Sequence, residues 1–202
     1  MPATRSRFHG HIAGLGSSSG TRVVVGHWPG TPFGPFSDVM VETAAGHRVL
    51  LAPDERVSDY VAATYSFDEV RLEPVTVRPG PDAWHVTAPS LDLRFVVGGR
   101  TPLGRALRLV PRRLATSPAW CAVTDPVARV VLDGVRTRGS AGGGRREWYG
   151  ATSVRAVTSL AGRFDGTDLG SLAEVDPPCR FGFTSTPRRP SLTDVVTTVD
   201  VP

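Results

Sequence analysis

Lysine, asparagine and glutamine are missing from this chain, and isoleucine occurs once, at Ile12. All 23 basic residues are therefore arginine. A GC-rich coding bias, which favours Arg, Ala, Gly and Pro codons, is the simplest origin. The chemical consequence holds whatever the cause. A Schiff base needs a side-chain amine, so lysine-dependent pyridoxal chemistry and imine-forming decarboxylation are excluded. The lysine of a phosphate-binding P-loop is excluded with them.

Other shortages narrow the class. No apolar run approaches the ~20 residues of a membrane-spanning helix. The first residues, Met-Pro-Ala-Thr-Arg-Ser-Arg-Phe-His, lack the apolar segment of a signal peptide, so a cytoplasmic setting is expected. The two cysteines, Cys121 and Cys179, lie far apart and are expected to be reduced core residues. No Gly-x-Ser-x-Gly frames a nucleophile, and neither cysteine has a histidine close in sequence. No Gly-x-Gly-x-x-Gly joins a strand to a helix, and no cofactor motif stands out. No repeat recurs at a fixed period. The net charge of +4 permits an anionic partner. Arginine is spread along the chain, however, without a basic stripe interleaved with aromatics, so nucleic-acid binding is not expected.

What is present is mostly strand chemistry. Branched and aromatic side chains fill Glu147–Leu160, and Asp165-Gly166 accepts the positive φ of a tight hairpin turn. Strict alternation puts Trp148, Thr152, Val154, Ala156 and Leu160 on one, core-like face. It puts Glu147, Tyr149, Ser153, Arg155 and Val157 on the other, polar face. Further strands are expected over Phe8–Leu15, Thr21–Trp28, Phe36–Thr43, His47–Leu51, Asp68–Val77, Ala83–Val97, Arg180–Thr186 and Leu192–Val201. Ala128–Arg138 reads as another hairpin around Asp133-Gly134.

Helices are few. Pro53 and Asp54 suit a helix start, and Val57, Tyr60, Val61, Thr64 and Tyr65 follow at the spacing of one apolar stripe. Pro102–Val110 is a second short helix, which Pro111 must end or restart. Ser117-Pro118 is a further helix cap. Helices that do not alternate with strands argue against a doubly wound sheet. The expected fold is therefore mainly β: an antiparallel barrel, closed or nearly closed, with two or three short helices packed on it. A β-sandwich is the second choice. Residues 1–202 are expected to form one domain, with a helical insert near 98–126 as the place where it would divide.

Several side chains are candidates for chemistry. His9 and His11 project from one strand face and make half of a metal site. A third ligand would come from His27, His47, His85, Asp38 or Glu42. The His-x-His spacing resembles cupin metal sites, but the following Glu and the later His of those sites have no counterpart here. Asp38 and Glu42 share a face about 13 Å apart and are expected to be solvated. Glu147, Tyr149 and Arg155 can orient an anionic or carbonyl ligand if their face lines an interior. The arginines of the second helix and the run Thr184–Arg189 are expected to be solvent-facing.

Gly26-His27-Trp28 resembles the short Gly-x-Trp motif of lipocalins. The order of strands with a mid-chain helical insert is also similar to acetoacetate-type decarboxylase barrels, whose catalytic lysine cannot exist here. The chain is assigned to neither family. Three functions remain open. The first is binding of a small, mainly apolar or weakly anionic molecule inside the barrel, by Trp28, Glu147, Trp148, Tyr149, Arg155, Phe181 and Phe183. The second is an enzyme using acid–base groups in the same cavity. The third is an assembly module without a small ligand.

Overall fold

A computed structural model of the chain describes residues 4–131, 135–140, 144–182 and 186–201. Its strands are β1 (Thr4–Ser17), β2 (Arg22–Gly30), β3 (Phe36–Glu42), β4 (Arg48–Ala52), β5 (Glu69–Leu72), β6 (Thr76–Pro79), β7 (Ala83–Ala88), β8 (Leu91–Arg100), β9 (Arg138–Ser140), β10 (Arg146–Phe164), β11 (Thr167–Asp168), β12 (Leu172–Ala173) and β13 (Ser191–Val201). Its helices are α1 (Glu55–Ala62), α2 (Pro102–Leu107), α3 (Arg112–Ala115) and α4 (Pro118–Val131).

The strands form one large sheet in the order β5-β4-β3-β2-β1-β13-β10-β8-β7-β6. Neighbours are antiparallel except β4 and β5, which run parallel. The expected mainly β, antiparallel architecture is therefore what the chain adopts. The two ends of the sheet, β5 and β6, are joined in the chain through residues 73–75. No ladder pairs them among the described residues, so the curl is nearly closed rather than sealed. Strand β13 sits centrally, between β1 and β10, and takes its ladder bonds from both.

Alternation explains how the sheet curls. Ala13, Leu15, Val23, Val25, Val39 and Val41 point to one face. There they join Trp84, Val86, Leu93, Phe95, Val157, Leu160 and Phe164 in one buried cluster. The concave interior is thus filled by side chains. The opposite parity on the same strands, Phe8, Ile12, Val24, Trp28, Phe36 and Met40, is apolar as well. That face needs a second cover, which α1, α2 and the segment 175–182 supply.

Local signals place most elements. Asp54 caps α1, its carboxylate accepting from Val57 N at 2.9 Å. Thr101 caps α2 by accepting from Gly104 N at 3.0 Å. Asp165 (φ 49°) and Gly166 (φ 73°) make the expected tight turn between β10 and β11. Two expectations fail. Residues 128–131 are helical, the end of α4, and not the first arm of a hairpin; residues 132–134 lie outside the described part. The buried Asp125 carboxylate holds this helix. It pairs with Arg129 one turn on (2.9 Å) and accepts from Thr137 N (2.9 Å) beyond the helix. The described residues 180–182 are not a strand, because Arg180 is held by Glu42 rather than by a ladder.

Helix α2 lies directly on β10. A Cβ placed at Gly104 would stand 2.0 Å from Val154 O and 2.7 Å from Val154 N, both backbone atoms that cannot swing away. Gly104→Ala is therefore expected to lift α2 and destabilise the protein by about 1–3 kcal/mol. Urea denaturation checks this, and an unchanged midpoint would contradict the contact.

Candidate functional site

Between the sheet and its cover lies a cavity of about 600 Å³. Its floor is a grid set by strand register. Tyr149, Thr197 and Phe8 stand in one row across β10, β13 and β1. Val154, Thr193, Ile12, Gly26 and Asp38 form a longer row from β10 to β3. Ala156, Ser191, Gly14, Val24 and Met40 form the next. The roof comes from Tyr60, Val61, Thr64 and Tyr65, from Leu103 and Leu107 of α2, and from Cys179 and Phe181.

The glycines of the floor have a use. A Cβ at Gly10 would come within 2.8 Å of Trp28 Cε3, and one at Gly26 within 2.5 Å of Trp28 Nε1. The indole therefore lies across both glycines, and its Nε1 donates to Asp38 Oδ1 at 2.9 Å. Gly26-His27-Trp28 is in this fold the means of laying a tryptophan flat on the cavity floor.

Two buried carboxyls face this space. Glu147 is 3% exposed. Its Oε1 accepts from Thr64 Oγ1 at 2.8 Å and its Oε2 from the Tyr149 hydroxyl at 2.6 Å. The Tyr149 hydroxyl also meets that of Tyr65. Since Tyr149 gives its only proton to Glu147, Tyr65 is the donor to Tyr149. Burial pushes the Glu147 carboxyl up from its ordinary range, opposed by the Tyr149 and Thr64 hydrogen bonds and by the nearby Arg145 charge. Burial also raises the phenols of Tyr65 and Tyr149, which stay protonated at any physiological pH. The second carboxyl, Asp38, is also 3% exposed, and burial pushes it up to about 6 against the Trp28 hydrogen bond.

Aromatic rings close one end of the cavity. Phe8 packs at 5.0 Å from Tyr60, 5.7 Å from Phe33 and 6.3 Å from Trp28 between ring centroids. The Arg145 guanidinium lies 4.9 Å from the Tyr60 ring centre. Tyr60 Oη, Ser191 Oγ and Thr197 Oγ1 are buried side-chain oxygens with no hydrogen-bond partner among the described residues.

Of the residues singled out by sequence, Glu147, Tyr149, Trp28 and Phe181 line this cavity. Trp148 and Arg155 do not. The β10 ladder slips between Ala151 and Ser153, so strict alternation stops there. Glu147, Tyr149 and Ala151 face the cavity before the bulge, and Val154 and Ala156 after it. Arg155 is thereby turned to the other side, where its guanidinium binds the carbonyls of Gly98 (3.0 Å) and Val97 (3.3 Å). Trp148 lies under the Arg146 guanidinium, 5.6 Å from its ring centre. Phe183 lies outside the described residues.

His9 and His11 share a face, but not the cavity's. His11 stacks near His27 (6.1 Å between centroids) and against Trp84 (5.3 Å), with Asp194 at 3.5 Å from its Nε2. His47 is paired with Glu69 and His85 with Asp92. Among the described residues no three His, Cys, Asp or Glu side chains are grouped to hold a metal ion. Cys121 and Cys179 are both buried free thiols, and burial pushes Cys179 up to about 12.

Sequence reasoning weighed Asp38 only as a third metal ligand, and missed Tyr65, Tyr60 and Thr64 as site residues. Asp38 and Glu42, expected in solvent, are both fully buried, because the second face of β3 is covered too. The available signal was Phe36 and Met40 on either side of Asp38, two apolar residues sharing its face.

No family model matches the chain, and no curated protein matches it. A solved structure of acetoacetate decarboxylase from Legionella pneumophila is similar over 100% of this chain and 86% of that one, at 8% sequence identity and a TM-score of 0.45. Among the described residues no helix is long and apolar enough to cross a membrane.

Proposed function

We propose that this chain binds a small, mainly apolar molecule carrying one or two polar groups, in the cavity between the sheet and its helical cover. One observation carries the reading: a mainly apolar space of about 600 Å³ lies between the sheet and its cover, with the hydrogen-bonded Tyr65, Tyr149 and Glu147 group and Asp38 on its wall. An apolar space with two buried carboxyls on its wall suits a ligand that is apolar over most of its surface and polar at one or two points. The volume falls in the range of small-molecule sites, roughly 300–1,000 Å³. Glu147, Tyr149, Trp28 and Phe181 are the residues of the sequence reading that take part. The place differs from the barrel interior first expected, since that space is packed solid.

Native mass spectrometry of protein purified without chelator, beside the denatured mass, tests the proposal. A co-purified organic mass is the expected result. A bare mass, together with no thermal shift on a panel of apolar alcohols, acids and amines, would sink it. A substitution gives a sharper check. Ala151 lies on the floor, and Ala151→Phe fills the space from below. Ligand affinity should fall at least about tenfold, or 1.4 kcal/mol. Stability should hold, because the new ring occupies a void rather than a packed core.

A second reading is an acid–base enzyme on the same cavity. The relay from Tyr65 through Tyr149 to Glu147 favours it, since it links a carboxyl of raised pKa to the cavity wall. Glu147→Gln then leaves ligand affinity within a few-fold and abolishes turnover of the bound molecule. Equal turnover by the variant removes this reading.

A further inference from the structure

Asp38 stands apart from the other buried carboxyls of this protein. Glu42 is paired with Arg22 at 3.0 Å and Arg180 at 2.8 Å. Asp125 is paired with Arg129 at 2.9 Å, and Asp200 with Arg5 at 2.7 Å. Glu147 accepts hydrogen bonds from two hydroxyls and feels the Arg145 charge. Among the described residues Asp38 has no arginine partner, although the chain carries 23. Its one side-chain hydrogen bond comes from a neutral indole. A buried carboxylate without a cation is costly, and chains keep such groups where something else supplies the charge.

The surroundings of Asp38 suit a cation. It opens into the cavity between Phe36 and Met40, beside the Trp28 indole. That indole lies across Gly10 and Gly26, with the Phe8 and Phe36 rings beside it at 6.3 and 6.5 Å between centroids, and it borders the cavity. Tryptophan is the best cation–π partner among the side chains, and the interaction strengthens when water is excluded. Other charged groups that line the space come from its far side. Arg189 lies two residues before β13, and Arg136 two residues before β9, which pairs with β10. Three or more strand widths, about 14 Å at ~4.8 Å each, separate those strands from β3.

We infer that the ligand of this cavity is an apolar amine, its protonated nitrogen seated between the Asp38 carboxylate and the face of Trp28, with its apolar part running over Ile12 and Val195 toward β10. The inference rests on the ligand-binding reading above and narrows it to one chemical class. A carboxylate ligand would have to take the opposite orientation, with its charge at the arginine side.

Three probes with one skeleton separate these cases: 4-phenylbutylamine, 4-phenyl-1-butanol and 4-phenylbutyrate, titrated calorimetrically into the full chain at pH 8. The amine should bind at least about tenfold more tightly than the alcohol, consistent with a desolvated cation–π contact joined to an ion pair. Asp38→Asn should remove that advantage and leave the alcohol's affinity unchanged. The unchanged alcohol also shows that the variant is folded and its cavity intact. Amine affinity of the parent protein should fall as pH drops from 8 to 5 and Asp38 takes up a proton. The neighbouring Tyr60, Tyr65, Tyr149 and Cys179 keep their protons across this window. Glu147 is the other carboxyl facing the space, and Asp38→Asn separates its contribution. Equal binding of alcohol and amine, tighter binding of the carboxylate, or an amine preference that survives Asp38→Asn overturns the amine inference while the cavity reading stands. No binding by any of the three overturns both.

Discussion

Glu42→Ala should cost about 3–5 kcal/mol of folding stability, read as a shift of the urea midpoint at pH 7. Glu42 is 0% exposed and Arg22 is 4% exposed, so removing the carboxylate strands a guanidinium in the interior. Arg22 then keeps only its bonds to the carbonyls of Pro177 (3.3 Å) and Thr43 (3.4 Å), which carry no charge. The loss extends to the cavity roof. Glu42 Oε2 accepts from Arg180 N at 2.8 Å, and Oε1 from Arg180 Nε at 2.8 Å. These bonds fasten the segment that carries Cys179 and Phe181 over the cavity. Ligand binding should therefore weaken together with stability. The double variant Arg22→Met/Glu42→Met should recover much of the lost stability, since a packed apolar pair often replaces a buried ion pair without loss. A Glu42→Ala protein as stable as its parent would mean that water reaches Arg22 and that the roof is not anchored there.

Glu42 also shows where sequence reading stops. On β3 the alternation of Phe36, Asp38, Met40 and Glu42 is plain, and the hairpin to β4 through Gly46 follows from it. Alternation says that these four side chains share a face. It does not say whether another layer covers that face. The cover comes from α1 and from residues 175–182, more than 130 positions further along the chain for the Arg180 contact. Its Pro-rich sequence carries no period that points to Glu42. β10 hides its site in a different way. The run Glu147–Leu160 looks uniformly strand-like, so strict parity groups Arg155 with Glu147 and Tyr149. One extra residue between Ala151 and Ser153 reverses that grouping. Branched residues fit both sides of a bulge equally well, and nothing local marks it. Signals confined to a few neighbouring residues fared better. The Asp54 cap, the Ser117 cap before Pro118, and the Asp165-Gly166 turn each depend on backbone geometry within four residues, and each stands where the sequence put it. Half of the candidate site was legible for the same reason: Glu147 and Tyr149 are close in sequence. Tyr65 and Asp38 reach them only through the folded sheet.

Asp38→Asn should stabilise the ligand-free protein at pH 8 and change it little at pH 4. The sign follows from the direction of the shift. Burial raises this carboxyl from 3.8 to about 6 in the folded protein, while the unfolded chain keeps the ordinary value. Below about 4 both states hold the proton, and Asp38 costs nothing. Between 4 and 6 the unfolded chain loses its proton first, so the parent protein loses stability as pH rises. Above 6 the full penalty is present. Roughly two pKa units at 1.36 kcal/mol each amount to about 3 kcal/mol. Asparagine avoids this penalty and keeps an oxygen to accept from Trp28 Nε1. At ~2–4 °C per kcal/mol for a chain of this size, the variant should melt some 6–12 °C higher at pH 8. Thermal denaturation of both proteins from pH 4 to 8 reads the difference directly. A gain that is flat with pH would mean that Asp38 is not the titrating group; no gain at all would mean that its charge is compensated by the protein itself. Saturating 4-phenylbutylamine turns the comparison around. The amine supplies the missing charge, so it should raise the parent's melting temperature at pH 8 and leave the variant's nearly fixed. A residue that weakens the empty fold and strengthens the filled one is placed for binding, and its effects at the two ends of the pH range measure how much stability the site gives up for it.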